Sequence, residues 1–272
     1  MLKVRLRGVY SLALSALLHE HGWQIVQPAE DLQTYINNPH PPEPFDVQVS
    51  DRDDLKGVIV TGDKTALGEF HRLIRQALPR VGVCTPPVWL DAIYLGLVRR
   101  QRAAGYEIDL GAADGFLPKS EVQSSLRSGE ALRVQVCDLT DAGEEAILTT
   151  EISIAGRFAV LSSTKGVGIS REITDPQERE RLAKLGRRWA TQKHGVIWRT
   201  AAWGREAHEL QREIQSLKIA FAQLEDHPPD GIPGLLRPGT PTLMAEFPEE
   251  SRGTLELWKS RLVASIMRRT QD

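Results

Sequence analysis

Residues 3–9, KVRLRGV, alternate polar and apolar with the period of two that a half-buried strand requires. From Ser11 to His21 the chain turns leucine-rich with helical spacing. Gly22 follows at the position where a helix ends in the left-handed conformation. WQIVQ predicts a second strand, and the proline-rich NNPHPPEPF at 37–45 predicts a surface connection. Strand character resumes at 46–49 and 57–61. Leu67, Phe70, Leu73, Ile74 and Leu78 then line one face of a helix predicted over 65–78. VTGDKT lacks the full phosphate-loop pattern and reads as strand, turn and helix start. This order predicts a small α/β domain over 1–85.

After Thr85-Pro86-Pro87 the pattern changes to short strands separated by glycines: IYLGLV, GYEIDLG, DGFLP and LRVQV, with a short polar helix near 119–126. Such a run reads as a five-stranded OB barrel over 86–142, with Gly105, Gly111 and Gly115 where a small barrel turns sharply or bulges. Strand signal continues through ILTTEISIAGRFAVLSS. A helix is expected from Asp175 to about Thr191 with Pro176 in its first turn, then the strand GVIWRT. Trp203, Ala207, Leu210, Ile214, Leu217, Phe221 and Leu224 step by four and three along a long helix over 203–226. Packing within the chain is the expected use of that stripe, and self-association is the alternative. Together these form an α+β region over 143–226. A Pro/Gly-rich linker and a last helix are expected over 227–272, in an α+β multidomain chain.

The composition is that of an ordinary globular protein, 41% hydrophobic and 26% charged, and no apolar run approaches the ~20 residues of a membrane span. With no signal-peptide pattern at the N-terminus, a cytoplasmic protein is expected. Cys84 and Cys137, far apart and without partners at metal spacing, read as small apolar residues near or in strands. Net charge is −2, yet residues 157–218 hold 13 Lys/Arg against 7 Asp/Glu. This points to one polyanion-facing region on an otherwise acidic chain. Asp51, Asp53 and Asp54 form the one tight carboxylate cluster. Such a cluster can hold Mg²⁺ for phosphodiester hydrolysis, but the expected reading is a solvated turn with Arg52 offsetting the charge. His19 and His21 fall on different helix faces, which disfavours a metal site.

Four blocks, IYLGLV, DLGAADGFLP, AILTTEISIAGRFAVL with GVGISREI, and VIWRTA, resemble the N-terminal part of the ribonuclease E/G family in order and spacing. LRGVYSLALSALLHEHGWQIVQP and DRDDLKGVIV are most similar to its branch of AU-rich-RNA-binding proteins, known from archaea and regarded as ribonucleases. The resemblance implies an S1-type OB barrel, a region that senses RNA 5′ ends, and a role in ribosomal-RNA processing or RNA degradation. It implies that Phe116 contacts single-stranded RNA and that Arg199 and Thr200 hold a 5′-monophosphate. A second barrel aromatic falls at Glu107, with Tyr106 beside it, and a basic residue expected before AILTT is Glu144 or Glu145. The family's catalytic aspartate pair has no counterpart in this chain, so its catalytic residues stay unassigned.

Physically, an outward Phe116 or Tyr106 offers a face for a base, while Arg99, Arg100 and Arg102 offer cations beside the barrel. Arg199-Thr200 places a five-donor cation next to a hydroxyl, with Arg171 a further contact. Gly166, Gly168 and Gly195 would admit backbone N–H groups to the same anion. The expected partner is single-stranded or structured RNA, with no membrane; the cofactor is unassigned, with Mg²⁺ the candidate if the chain cleaves.

Overall fold

The computed structural model describes residues 1–33, 43–140, 145–226 and 231–269. Most of the proline-rich connection at 37–45, the residues 227–230 and Glu144 lie outside the described residues. The chain runs β1 (Lys3–Leu6), α1 (Ser11–Glu20), β2 (Gln24–Ile25), α2 (Glu30–Gln33), β3 (Val47–Asp51), β4 (Gly57–Gly62), α3 (Lys64–Ala77) and β5 (Gly82–Cys84). It continues through β6 (Ile93–Gln101), β7 (Gly105–Asp109), β8 (Asp114–Pro118), β9 (Ala131–Leu139), β10 (Ala146–Thr149), β11 (Ser153–Ala155), β12 (Ala159–Ser162) and β13 (Val167–Ile169). Then follow α4 (Pro176–Trp189), β14 (Gly195–Trp198), α5 (Ala207–Glu225), β15 (Gly234–Arg237), β16 (Thr242–Glu246) and α6 (Glu249–Arg269). Two compact units result, one of 1–86 with 240–272, the other of 87–239.

The first unit is a six-stranded sheet in the order β2-β1-β3-β4-β16-β5, parallel where β1 meets β2 and β3 and antiparallel elsewhere. The alternation seen in the sequence sets its inner face. Val4 and Leu6, Val47 and Val49, and Val58 and Val60 share a core with Leu14, Phe70 and Phe247 from the helical side. Gly22 ends α1 at φ +81°, with its N–H on His19 O and the Trp23 N–H on Leu18 O, the capping expected. VTGDKT is strand, turn and helix start: Asp63 caps α3 by accepting from the Thr65 and Ala66 N–H groups.

One sequence expectation is corrected here. Residues 240–272 are not part of a linker with an appended helix. β16 pairs β4 on one side and β5 on the other, with Leu243 and Ala245 on the core face, and α6 packs on α1. Once the chain has left this unit for some 150 residues, nothing local marks TLMAE as the missing strand.

In the second unit, β6-β7-β8-β10-β9 close on themselves through β6–β9, with β8 and β10 parallel, making the five-stranded OB-type barrel. β15 adds to the start of β6, so residues 234–237 too belong to a sheet. The expected helix near 119–126 is one 3-10 turn at Lys119–Glu121. A four-stranded sheet, β11-β12-β14-β13, carries α4 and α5. Its core includes Ile154, Leu161, Leu182, Trp198, Leu210 and Phe221, and the Trp198 indole donates to Leu182 O at 2.8 Å. Gly204, at φ +68°, interrupts the predicted 203–226 helix, so α5 begins at Ala207 behind a capping box of Glu206 and Glu209. Ala207 is exposed, but Leu210, Ile214, Leu217, Phe221 and Leu224 are all buried in this unit, which leaves that stripe no apolar face for self-association. Among the described residues no helix is long and apolar enough to cross a membrane.

Candidate nucleic-acid interface

The barrel's register sorts its candidate residues. Tyr106 pairs opposite Leu117 and Ile108 opposite Gly115, and this parity faces inward. Tyr106 is 2% exposed, with its hydroxyl accepting from the Leu126 N–H, so its ring has no face for a base. The expectation that Tyr106 binds RNA is corrected on that ground. The opposite parity makes an outward row across four strands: Arg100 opposite Glu107, Glu107 opposite Phe116, and Phe116 opposite Ile147. Phe116 is half-buried. Its ring lies across Gly105, where an added Cβ would come within 2.7 Å of Phe116 Cζ, and the Arg102 guanidinium stands 5.9 Å from the ring centroid. Gly105 thus lets the ring lie flat on the strand beside it.

Glu107 points outward but is only 8% exposed, because arginines cover it. Arg102 donates to its carboxylate at 2.7 Å and Arg100 at 2.8 Å. Arg102 first, then Arg100, holds this carboxyl below the usual carboxylate range. Arg102 also reaches Glu145 at 2.8 Å, so Glu107 and Glu145 meet in one network. Arg99 pairs with Asp109 and Asp114, each at 3.2 Å. Arg99 and Arg100 at the end of the first barrel strand, and Arg102 just after it, are therefore ion-paired rather than free cations.

In the α+β sheet, β13 runs parallel to β14 with Ile169 opposite Trp198, and the Ser170 N–H donates to Trp198 O. This pairing brings Ser170-Arg171 beside Arg199-Thr200, about thirty residues away in sequence. The Ser170 and Thr200 hydroxyls are 2.8 Å apart. Arg179 on α4 pins the loop by donating to Ser170 O at 3.0 Å and Ile173 O at 2.9 Å. Arg171 and Arg199 are exposed, and Arg199 Nη1 donates to Gly156 O at 2.5 Å. Ser170 and Arg179 were not singled out in the sequence, because only the β13–β14 register brings them to the site.

The glycines do not join them. Gly195 begins β14 and packs against Gly166 and Thr164 O, four residues from Arg199 and so about 13 Å along the strand. Gly168 sits opposite Ile197. Close strand packing accounts for Gly168 and Gly195, while Gly166 turns the chain at φ +123° with open space around it.

Of the aspartate cluster, Asp53 and Asp54 lie in the expected turn, while Asp51 ends β3. Asp51 accepts from the Val9 N–H at 2.7 Å, and Asp54 accepts from the Lys56 N–H and pairs with the buried Arg52, both at 2.9 Å. Among the described residues no group of three or more His, Cys, Asp or Glu is placed to hold a metal ion. Cys84 and Cys137 lie in strands as expected but are exposed, and both are free.

Comparison with known proteins agrees with the resemblance. Residues 153–240 match the model of the ribonuclease E/G family. "Probable ribonuclease FAU-1" of Thermococcus kodakarensis is 31% identical over 97% of this chain and 56% of its own length. That of Haloarcula marismortui is 28% identical over 93% of this chain and 55% of its own. A solved multidomain protein with nucleic acid binding domains from Streptococcus pneumoniae aligns over 67% of this chain and 57% of its own at 12% identity. Its TM-score of 0.24 is too low to bear on the fold. The chain spans about half the length of the FAU-1 proteins it matches. The chain is thus similar to the FAU-1 proteins along nearly all of its sequence, and over residues 153–240 to the ribonuclease E/G family.

Proposed function

We propose that this protein binds single-stranded RNA, as the RNA-holding part of a ribonuclease of the FAU-1 kind, in the processing or turnover of cytoplasmic RNA. The observation that carries the reading is the closed barrel with Phe116 on its outer row, half-exposed and flanked by Arg102. OB barrels hold single strands by stacking bases on such rings and tracking phosphates with cations. Ser170, Arg171, Arg199 and Thr200 supply hydroxyls and cations for a 5′-terminal phosphate. AU-rich loops, as in ribosomal-RNA precursors, are the preferred substrate in this reading, because unpaired bases are the ones free to stack.

The test is a 5′-labelled AU-rich stem-loop RNA incubated with and without Mg²⁺ and resolved on native and denaturing gels, with Phe116→Ala, Arg199→Ala and Asp53→Ala proteins alongside. The expected outcome is a shift of intact RNA that Phe116→Ala and Arg199→Ala weaken. Fragments that need Mg²⁺ and vanish with Asp53→Ala would make the chain itself a nuclease. No shift at low salt would end the RNA reading.

A further inference from the structure

We propose that Arg157, Arg199 and Arg205 form a three-arginine clamp for the phosphodiester backbone of RNA, centred on the turn at Gly156–Phe158. The inference rests on the RNA reading above and adds to it a station for internal phosphates beside the chain-end site, with Arg199 shared between the two.

Three separate segments deliver these cations. Arg157 lies in the turn between β11 and β12, Arg199 follows β14, and Arg205 precedes α5. The Arg157 guanidinium stands 5.1 Å from the Phe158 ring centroid and that of Arg205 stands 5.4 Å from it. Arg199 reaches the same turn through Gly156 O, and its own N–H donates to Phe158 O at 2.8 Å. All three arginines are exposed. Phe158 itself is 8% exposed, so it serves as a platform for guanidinium groups and not as a stacking face for a base.

One arginine lying on an aromatic ring is ordinary packing. Two on the same ring with a third at the preceding carbonyl repel one another, and no carboxylate within 4.0 Å of any of the three is recorded among the described residues. Arg99, Arg100, Arg102 and Arg181 in the same unit each have one. The facing acid is Glu213 on α5, whose Oε1 accepts from the Phe158 and Ala159 N–H groups, so this turn sets one carboxylate against three cations. A concentrated set of planar five-donor cations in excess over the nearby acid fits a ligand with several phosphates in succession. A single strand of RNA has that chemistry.

The test measures binding of a short 3′-labelled A/U RNA with a 5′-hydroxyl end by fluorescence anisotropy across a salt series. Removing the terminal phosphate from the probe separates this clamp from end recognition. The protein with both Arg157→Ala and Arg205→Ala is expected to bind roughly ten- to a hundred-fold more weakly. Its log–log salt slope should be shallower by about 1.4, two phosphate contacts on a single strand. Arg157→Lys with Arg205→Lys should restore most of the slope. Arg72→Ala with Arg75→Ala, which removes the same charge from the exposed side of α3, should leave binding near wild type. Wild-type affinity and slope in the alanine pair overturn the clamp, and so does an equal loss in the α3 pair. If Phe116→Ala weakens binding while the alanine pair does not, the RNA reading survives and the clamp fails. If the wild-type protein binds no RNA, both fail together.

Discussion

At the scale of single residues, the outer row of the barrel sets cations against a carboxylate beside one aromatic ring. Stacking a base on an aromatic ring is worth about 1–3 kcal/mol. Phe116→Ala is therefore expected to weaken single-strand binding roughly five- to a hundred-fold while leaving the thermal melt nearly unchanged, since the ring lies outside the barrel core; anisotropy and calorimetry check the two halves. Glu107 has the opposite effect. It ties up Arg100 and Arg102, so Glu107→Gln should release both toward phosphate and tighten RNA binding several-fold at low salt, with a steeper salt dependence. Because Arg102 and Arg100 hold its folded-state pKa below the unfolded value, the stabilisation it gives is fully present above the ordinary carboxylate pKa. That stabilisation is lost as pH falls through the lowered one. Melting temperature should therefore drop on acidification into that window in the wild type, and drop less in Glu107→Gln.

At the scale of elements, α5 is held by one stripe. Phe221, 5% exposed, packs in the α+β core and against the His194 ring. Phe221→Ala should cost about 3–5 kcal/mol, the usual range for emptying an aromatic site, and denaturant unfolding of the second unit would register it. Since the stripe faces its own core, sedimentation should give the same mass for Phe221→Ala as for the wild type. A mass change would return the stripe to the self-association reading. The β13–β14 pairing plays the corresponding part for the residues proposed to hold a 5′-phosphate. Trp198 and Ile169 in register set where Ser170, Arg171, Arg199 and Thr200 emerge, so those side chains depend on a buried tryptophan that touches no ligand.

At the scale of the whole molecule, the first unit is discontinuous and the second is not. β16 fills the place between β4 and β5, and Phe247 and Leu255 complete the core beneath them. A chain ending at Gly239 should leave β4 and β5 with unpaired edges and lose the cooperative melt of the first unit. Residues 87–239, which hold both the barrel and the α+β core, should keep theirs and keep RNA binding. Two separate calorimetric transitions that collapse to one on truncation would check this, and an unchanged first-unit transition would contradict it.

The sequence by itself determined whatever repeats or caps locally. Alternation marked β1, and strand-like runs marked β3, β4 and the barrel strands; Asp175 and Gly22 bounded helices; and motif order carried the resemblance to its relatives. A period of two says that Tyr106 and Glu107 face opposite ways, but not which way is in. Closure of the barrel decided that, putting the aromatic inside and the acid outside under two arginines. TLMAE carried too little signal to reveal that it completes a sheet begun some two hundred residues earlier. The neighbours of Arg199, whether Gly156 and the arginines of its turn or the Ser170–Thr200 pair, come from three separate segments. Long-range strand register is a property of the packed core and not of any stretch of chain, so only the tertiary structure could decide which charges meet, which are neutralised, and which stay open to a ligand.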